Sequence, residues 1–152
     1  MNTNLASFSI ERRRVSVAVF VGERLDYTGS RQLASIYPKA LDGAGRYVEW
    51  ITRNFRIEDV ALMKGQSDPT TWKSKFTKAI IRQLRDTGVP IFEVDKGALL
   101  ASFAHPPLRH LTELRKVVSS IWPILATKDH NASLLDAAAL GLYVQVEKTF
   151  RA

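Results

Sequence analysis

The sequence has no cysteine among its 152 residues, so disulfide bonds and thiolate metal sites are excluded. A chain without cysteine suits a reducing compartment, and the cytoplasm is the expected location. No apolar stretch approaches the roughly 20 residues that a membrane-spanning helix requires, so no membrane partner is expected. The glycine-rich phosphate loop and the Gly-x-Ser-x-Gly turn of serine hydrolases are also missing. These absences remove several common enzyme classes.

The charge of the chain is positive and unevenly distributed. Its 22 Lys and Arg residues against 15 Asp and Glu give a formal net charge of +7 and an isoelectric point near 9.9. Residues 1–88 carry 15 basic and 9 acidic side chains, whereas residues 89–152 carry 7 and 6. Because a basic balance favours polyanionic partners, we expect any nucleic-acid surface to be built from the first half of the chain.

The first half of the chain begins with extended structure. Valine occupies every second position over residues 15–21, and this alternation predicts the first strand. The following segment "RLDYTGSRQLASIY" contains a Gly-Ser turn signal and predicts two more short strands. Residues 1–13, which precede this meander, are expected to be a flexible segment of a single domain that spans 1–152.

Helices and strands alternate in the rest of the chain. The spacing of apolar residues predicts four longer helices, over residues 38–55, 68–87, 108–122 and 129–148. Asp68 is expected to cap the second helix, with Pro69 at its first position. The runs "DVALM" and "VPIFEVD" predict two further strands. A meander followed by alternating helices and strands predicts a mixed sheet with helices on its faces.

The order of these elements is also informative as a whole. Together with "GVPIFEVD" after a basic helix and "LLDAAALGLYV" on the last helix, it resembles the RuvC-type Holliday junction resolvase branch of the ribonuclease H-like superfamily. The resemblance covers residues 14–148. It implies an α/β domain of ribonuclease H-like topology, with a mixed five-stranded sheet and helices on both faces.

The resemblance also implies a metal site. Members of this family hydrolyse phosphodiesters with two divalent metal ions held by about four carboxylates. One carboxylate lies near the end of the first strand, one at the end of the strand after the first helix, and two on the last helix. In this sequence those positions fall at Phe20, about Lys64, Ser133 and Asp136. Three of the four expected carboxylates are absent, so the resemblance implies a degenerate site without catalysis.

An alternative interpretation keeps catalysis by relocating the metal ligands. Asp129 and Asp136 would share one face of the last helix, with His130 beside them as a general base. Asp26 and Asp95 lie on or just after predicted strands and would converge on Asp136. Magnesium or manganese would then be the cofactor. The same acids also suit a helix cap and solvated strand ends, so both interpretations stay open.

The clearest binding candidate is the helix "PTTWKSKFTKAIIRQLRDTG". Its apolar side chains form one arc, and its cations form a stripe on the opposite face that no acid interrupts. A stripe of this kind can follow a phosphate backbone. The predicted nucleic-acid contacts are Lys75, Lys78, Arg82 and Arg85, here called the cationic stripe, and Lys64. No aromatic platform for bases is predicted, because the tyrosines are scattered along the sequence.

Three functions follow from these observations. The preferred one is non-catalytic binding of structured DNA or RNA, or of a protein partner, through the cationic stripe. The second is a divalent-metal nuclease with relocated ligands. The third is a dimerisation domain that uses the last helix as its surface. The cluster Arg12-Arg13-Arg14 either extends the basic surface or protects a strand edge from aggregation.

Overall fold

The computed structural model describes residues 3–34, 36–64, 71–129 and 131–151. Its strands are β1 (Asn4–Glu11), β2 (Arg14–Val21), β3 (Arg24–Gln32), β4 (Asp59–Met63) and β5 (Ile91–Val94). They form one sheet in the order β3-β2-β1-β4-β5. The first three strands are an antiparallel meander, whereas β4 runs parallel to β1 and β5 runs parallel to β4. The predicted mixed five-stranded sheet is confirmed.

The first strand lies earlier in the chain than the sequence analysis placed it. Residues 4–11, which were expected to be flexible, form β1 at the centre of the sheet. In "NLASFSIE" the serines alternate with Ala6, Phe8 and Ile10, which pack together in one core. Ser7 is nevertheless fully buried, and its hydroxyl donates a hydrogen bond to the carbonyl oxygen of Ala137 at 2.6 Å. This bond satisfies a polar group that would be costly to bury alone.

Helices cover both faces of the sheet, as predicted. In the described residues they are α1 (Tyr37–Asn54), α2 (Trp72–Arg85), α3 (Lys96–Ser102), α4 (Leu111–Ile121), α5 (Pro123–Ala126) and α6 (Asn131–Arg151). α1 and α2 pack on one face, and α3 to α6 contribute to the core on the other. None of these helices is long and apolar enough to cross a membrane.

The two cores follow from the two-residue period of the strands. On β2, Val15, Val17 and Val19 face the core beneath α1 and α2. Ala18 and Phe20 face the core beneath α6. Because successive side chains of a strand point to opposite faces, the alternation seen in the sequence corresponds to burial on both sides.

Helix α2 begins at Trp72 and is capped by Thr71, whose hydroxyl oxygen accepts a hydrogen bond from the Ser74 amide at 3.2 Å. Asp68 and Pro69, predicted as the start of this helix, lie outside the described residues. The helix ends at Arg85, slightly before the predicted end.

β1, β4 and β5 run in the same direction, so their last residues lie at one end of the sheet. We call it the carboxyl end of the sheet. The first turns of α2 and α6 reach the same end, because residues of both helices share a small cavity with the last residues of β1 and β4. These residues include Ser9, Met63, Lys73, Thr77 and Asp136. At the opposite end, Lys148 of α6 forms an ion pair with Asp59 of β4.

Candidate nucleic-acid interface

Asp136 lies in the second turn of α6 and is only 6% exposed. Both of its carboxylate oxygens accept hydrogen bonds from Arg115 of α4. Nε donates to Oδ1 at 2.9 Å, and Nη2 donates to Oδ2 at 2.8 Å. Paired bonds of this kind are among the strongest contacts between a guanidinium and a carboxylate. The one acid that the resemblance carried over is therefore held by an arginine.

Burial raises the pKa of Asp136 above its ordinary value of 3.8, and the hydrogen bonds and charge of Arg115 oppose this rise without cancelling it. Glu11 adds to the rise, whereas Lys73 opposes it. The hydrogen bonds to Asp136 also raise the pKa of Arg115, so its guanidinium stays charged. The two pKa shifts have different main causes, because Asp136 is the more deeply buried partner. Its side chain is 7% exposed, whereas that of Arg115 is 23% exposed.

The position of the first-strand acid needs a correction. Phe20, on which the resemblance placed it, lies on the second strand and packs edge-on against Trp122, with ring centroids 5.9 Å apart. The end of the true first strand carries Ser9 and Glu11. Glu11 is exposed, and its charge influences Asp136. This acid was not predicted, because the first strand was expected one strand later in the chain.

Lys64 and Ser133 stand at the other two positions that the resemblance assigned. Lys64 follows the end of β4 and is exposed, and its amide donates to the Val94 carbonyl oxygen at 2.7 Å. Ser133 is 1% exposed, and its hydroxyl shares a hydrogen bond with that of Ser16 on β2. A cation and a hydrogen-bonded hydroxyl therefore occupy these two places.

The relocated acids do not assemble in the described residues. Asp26 pairs with Arg24 at 3.1 Å on β3, one edge of the sheet. Asp95 follows β5 at the opposite edge and accepts a backbone hydrogen bond as the cap of α3. Asp129 is exposed in the turn before α6, and His130 lies outside the described residues. The described residues contain no group of three or more His, Cys, Asp or Glu that could hold a metal ion.

The cationic stripe lies largely on the surface of α2. Lys78, Arg82 and Arg85 are exposed and line a shallow groove of about 230 Å³. Lys75 is half-buried, and Lys64 is exposed at the carboxyl end of the sheet. Lys64, Lys78, Arg82 and Arg85 form no ion pair with any acid of the described ranges.

Arg115 and Lys73 were not predicted as site residues from the sequence. Arg115 lies 21 residues before Asp136, on a helix whose pattern gives no hint of its partner. Lys73 stands at the start of α2 and lines the small cavity beside Asp136. Periodicity predicts which face of a helix is buried, but it does not pair side chains from different elements.

The aromatic residues are less scattered than expected. Tyr27 packs on Phe55 with ring centroids 4.7 Å apart, and Tyr47 lies nearly parallel to Trp50 at 6.3 Å. Trp50 is 47% exposed. A small aromatic cluster therefore joins α1 to the β3 edge, and the spacing of the tyrosines in the sequence did not predict it.

No protein-family model matches the sequence, and no curated protein matches it. Solved structures do match its fold. T. thermophilus RuvC in complex with a Holliday junction substrate has a TM-score of 0.75 and 16% identity, over 99% of this chain and 98% of that one. The fowlpox virus Holliday junction resolvase has a TM-score of 0.64 and 12% identity, over 95% and 99%.

The yeast mitochondrial Holliday junction resolvase is also similar, with a TM-score of 0.71 and 7% identity over 99% of this chain and 84% of that one. At identities this low the similarity shows the fold, and the function has to be argued from the residues of the site. The strand order, the helices on both faces and these superpositions agree with one another. The chain has the ribonuclease H-like fold of RuvC and other Holliday junction resolvases.

Proposed function

We propose that this chain binds structured nucleic acid without cleaving it. The observation that carries the proposal is the pair of hydrogen bonds from Arg115 to Asp136. A carboxylate that serves a two-metal nuclease must offer its oxygens to divalent ions. Here both oxygens accept N–H groups from a permanent cation. In this chain an arginine therefore binds the carboxylate that is expected to bind metal ions in catalytic proteins of the same fold.

The donors around Asp136 do not fit magnesium or manganese. Hard divalent cations take oxygen ligands, chiefly carboxylates. The cavity beside Asp136 is lined by Met63, Ser9 and Thr77, and the Thr77 hydroxyl donates to the Lys73 carbonyl oxygen. The lining also includes Lys73, whose positive charge acts on Asp136 and would repel a metal ion. No step of the proposed function therefore uses a metal.

The exposed cations supply the binding. Lys78, Arg82 and Arg85 follow α2, and Lys64 and Lys73 extend the positive charge to the carboxyl end of the sheet. Each phosphate that such a side chain neutralises releases counterions, which favours binding at low salt. The structurally similar T. thermophilus RuvC was solved with a Holliday junction substrate. A four-way DNA junction is therefore the first ligand to test.

The test compares junction and duplex binding by the wild type and two charge-matched variants. One variant carries Lys78→Glu, Arg82→Glu and Arg85→Glu on the stripe. The control carries Arg56→Glu, Arg109→Glu and Lys116→Glu, which are exposed cations outside the stripe. We expect the stripe variant to lose at least about tenfold in affinity and to show a shallower salt dependence. The control should lose much less.

Two results would overturn the proposal. Equal losses in both variants would mean that net charge alone controls binding. Cleavage of the junction by wild-type protein in Mg²⁺ or Mn²⁺, abolished by Asp136→Asn, would instead support the relocated nuclease with Asp136 as its central ligand. Asp129 and His130, the other weak candidates for that nuclease, would then be the next residues to change.

A homodimer and a protein partner remain predictions, as does the cytoplasmic location. The surface suggested for dimerisation, "LLDAAALGLYV", is not available as a whole. Its residues Leu134, Leu135, Leu140 and Val144 are at most 5% exposed, and three of them belong to the core beneath α6. Any dimer interface would therefore use another surface, and sedimentation at high protein concentration tests for it.

A further inference from the structure

A surface groove of about 620 Å³ lies between the β1–β2 turn and the start of α6. Its cations come from both sides, with Arg12, Arg13 and Arg14 on the turn and Lys128 just before the helix. We call it the arginine groove. Two acids also line it, so the lining carries a surplus of two positive charges. The groove lies outside the cationic stripe predicted from the sequence.

Three of these cations are available to a ligand. Arg12, Arg13 and Lys128 are exposed and form no ion pair with an acid of the described residues. Arg14 is fixed in place, because its Nη2 donates to Oε1 of Gln32 at 2.8 Å. The groove therefore offers positive charge that no described acid pairs with.

The turn holds the arginines close together. Glu11 and Arg14 are register partners, so Arg12 and Arg13 are the two residues of a tight hairpin loop. Arg12 adopts a φ of 54°, in the left-handed region that such a loop requires. Two adjacent guanidinium-bearing residues are thus presented at the carboxyl end of the sheet.

The start of α6 forms the opposite side of the groove through Asn131, Ala132 and Ser133. The first N–H groups of a helix have no partner within the helix, and they carry a partial positive charge. α6 is 21 residues long. An anion in the groove would therefore meet the arginines of the turn on one side, and on the other the positive end of a long helix with Lys128 and one acid, Asp129.

We infer that the arginine groove binds a phosphate of the nucleic-acid backbone. The inference rests on the proposed function and extends its binding surface. Guanidinium groups fit phosphate oxygens through paired hydrogen bonds. None of the described residues that line the groove is aromatic. A backbone phosphate is the ligand that this chemistry fits.

The groove lies next to the interface proposed above. Glu11 and Ser133 line the groove. Ser9 and Asp136, two and three residues away on the same strand and helix, line the small cavity that Lys73 of α2 also reaches. A nucleic-acid backbone that follows α2 to the carboxyl end of the sheet would pass over this cavity before it reaches the groove. The surface around Asp136 then lies in the middle of this path.

The test removes the same number of charges from the two ends of the sheet. The double variant Arg12→Ala with Arg13→Ala removes both guanidinium groups from the turn. The control, Arg24→Ala with Arg56→Ala, removes two exposed arginines at the opposite end, where β1 begins. We expect the turn variant to bind the junction about tenfold more weakly and to lose about one unit of the salt slope, as the loss of one phosphate contact predicts. The control should change affinity by less than about twofold, and circular dichroism should show all proteins folded.

A second measurement separates this inference from the proposed function. Titration with inorganic phosphate, followed by amide NMR shifts, should move residues 12–14 and 131–133 more than residues 78–85. If the turn variant keeps wild-type affinity while the stripe variant loses it, the groove is overturned and the proposed function stands. If wild-type protein binds neither junction nor duplex, both are overturned. Phosphate shifts spread evenly over all basic residues would also overturn the groove.

Discussion

Arg115 of α4 and Asp136 of α6 are joined by two parallel hydrogen bonds of 2.9 and 2.8 Å. The pair lies at the carboxyl end of the sheet and is mostly shielded from solvent. It fixes the start of the last helix against α4. The same contact therefore has a structural role and engages both oxygens of the carboxylate.

Replacing only one partner of this pair should lower the free energy of unfolding substantially. Arg115→Met would leave the buried carboxylate of Asp136 without its partner, and we expect a loss of roughly 2–4 kcal/mol in the free energy of unfolding. Arg115→Met combined with Asp136→Leu should recover most of that loss, because no charge stays buried. Arg53→Met, at an exposed pair with Glu49, is the control and should cost less than about 1 kcal/mol. Urea unfolding measures all three, and a loss in Arg115→Met no larger than the control would contradict the prediction.

The pH dependence of the Arg115→Met variant follows from the same pair. Without Arg115, the carboxyl of Asp136 loses the largest effects that lower its pKa, while burial still raises it. A folded-state pKa above the unfolded value means that the folded state binds the proton more tightly, so stability rises as pH falls towards 3.8. The stability gap between variant and wild type should therefore narrow on acidification. Urea unfolding at a series of pH values tests this, and a constant gap would argue against it.

Gly141 should be intolerant of any side chain. A Cβ atom there would lie 2.2 Å from Cε2 of Phe20, in the core beneath α6. Gly141→Ala should destabilise by about 1–3 kcal/mol through overpacking. Gly45→Ala is the matched helical control, since its nearest neighbour would be the flexible Gln83 side chain at 3.5 Å. The control should be neutral or stabilising by up to about 1 kcal/mol.

Phe20→Leu should partly rescue Gly141→Ala, because the shorter side chain vacates the volume that the new methyl group needs. Thermal unfolding of the two single variants and the double variant measures this coupling. Additive losses would show that the close approach of the helix to the ring is not the cause.

Restoring an acid on the last helix should not restore a metal site. Ser133 is buried and shares a hydrogen bond with Ser16, so Ser133→Asp would bury a charge in place of a satisfied hydroxyl. We expect a loss of several kcal/mol in stability, against about 1 kcal/mol for Ser133→Ala. Unfolding measured with and without Mn²⁺ checks this. A strong stabilisation of Ser133→Asp by Mn²⁺ would contradict it and favour the nuclease interpretation.

Local patterns predicted much of this fold. The valine alternation of β2 and the apolar spacing of α1 are produced by burial, and burial is what periodicity reports. The same two-residue alternation runs through Ala6, Phe8 and Ile10 of β1, so this strand could have been predicted as well. The local sequence does not, however, reveal the partner of buried Ser7, whose hydroxyl donates to Ala137, 130 residues away.

The candidate site was less predictable than the fold. The cations of α2 could be identified because they repeat along one helix face. The pairing of Asp136 with Arg115 depends on how α4 packs beside α6, and the arginine groove depends on a hairpin turn meeting a helix start. Misplacing the first strand also moved the expected acid from the end of β1 to Phe20. When a strand is assigned to the wrong segment, every site residue predicted at the end of that strand is also assigned to the wrong position.

The central place of β1 has a practical consequence for anyone who shortens this chain. A version that begins at Arg14 would remove a segment whose sequence looks dispensable. It would also delete the strand that hydrogen-bonds to β2 on one side and β4 on the other, together with the buried side chains of Leu5 and Phe8. The two remaining halves of the sheet would each expose an unpaired edge, a common route to aggregation. Expression tags and truncation boundaries therefore belong ahead of Asn4.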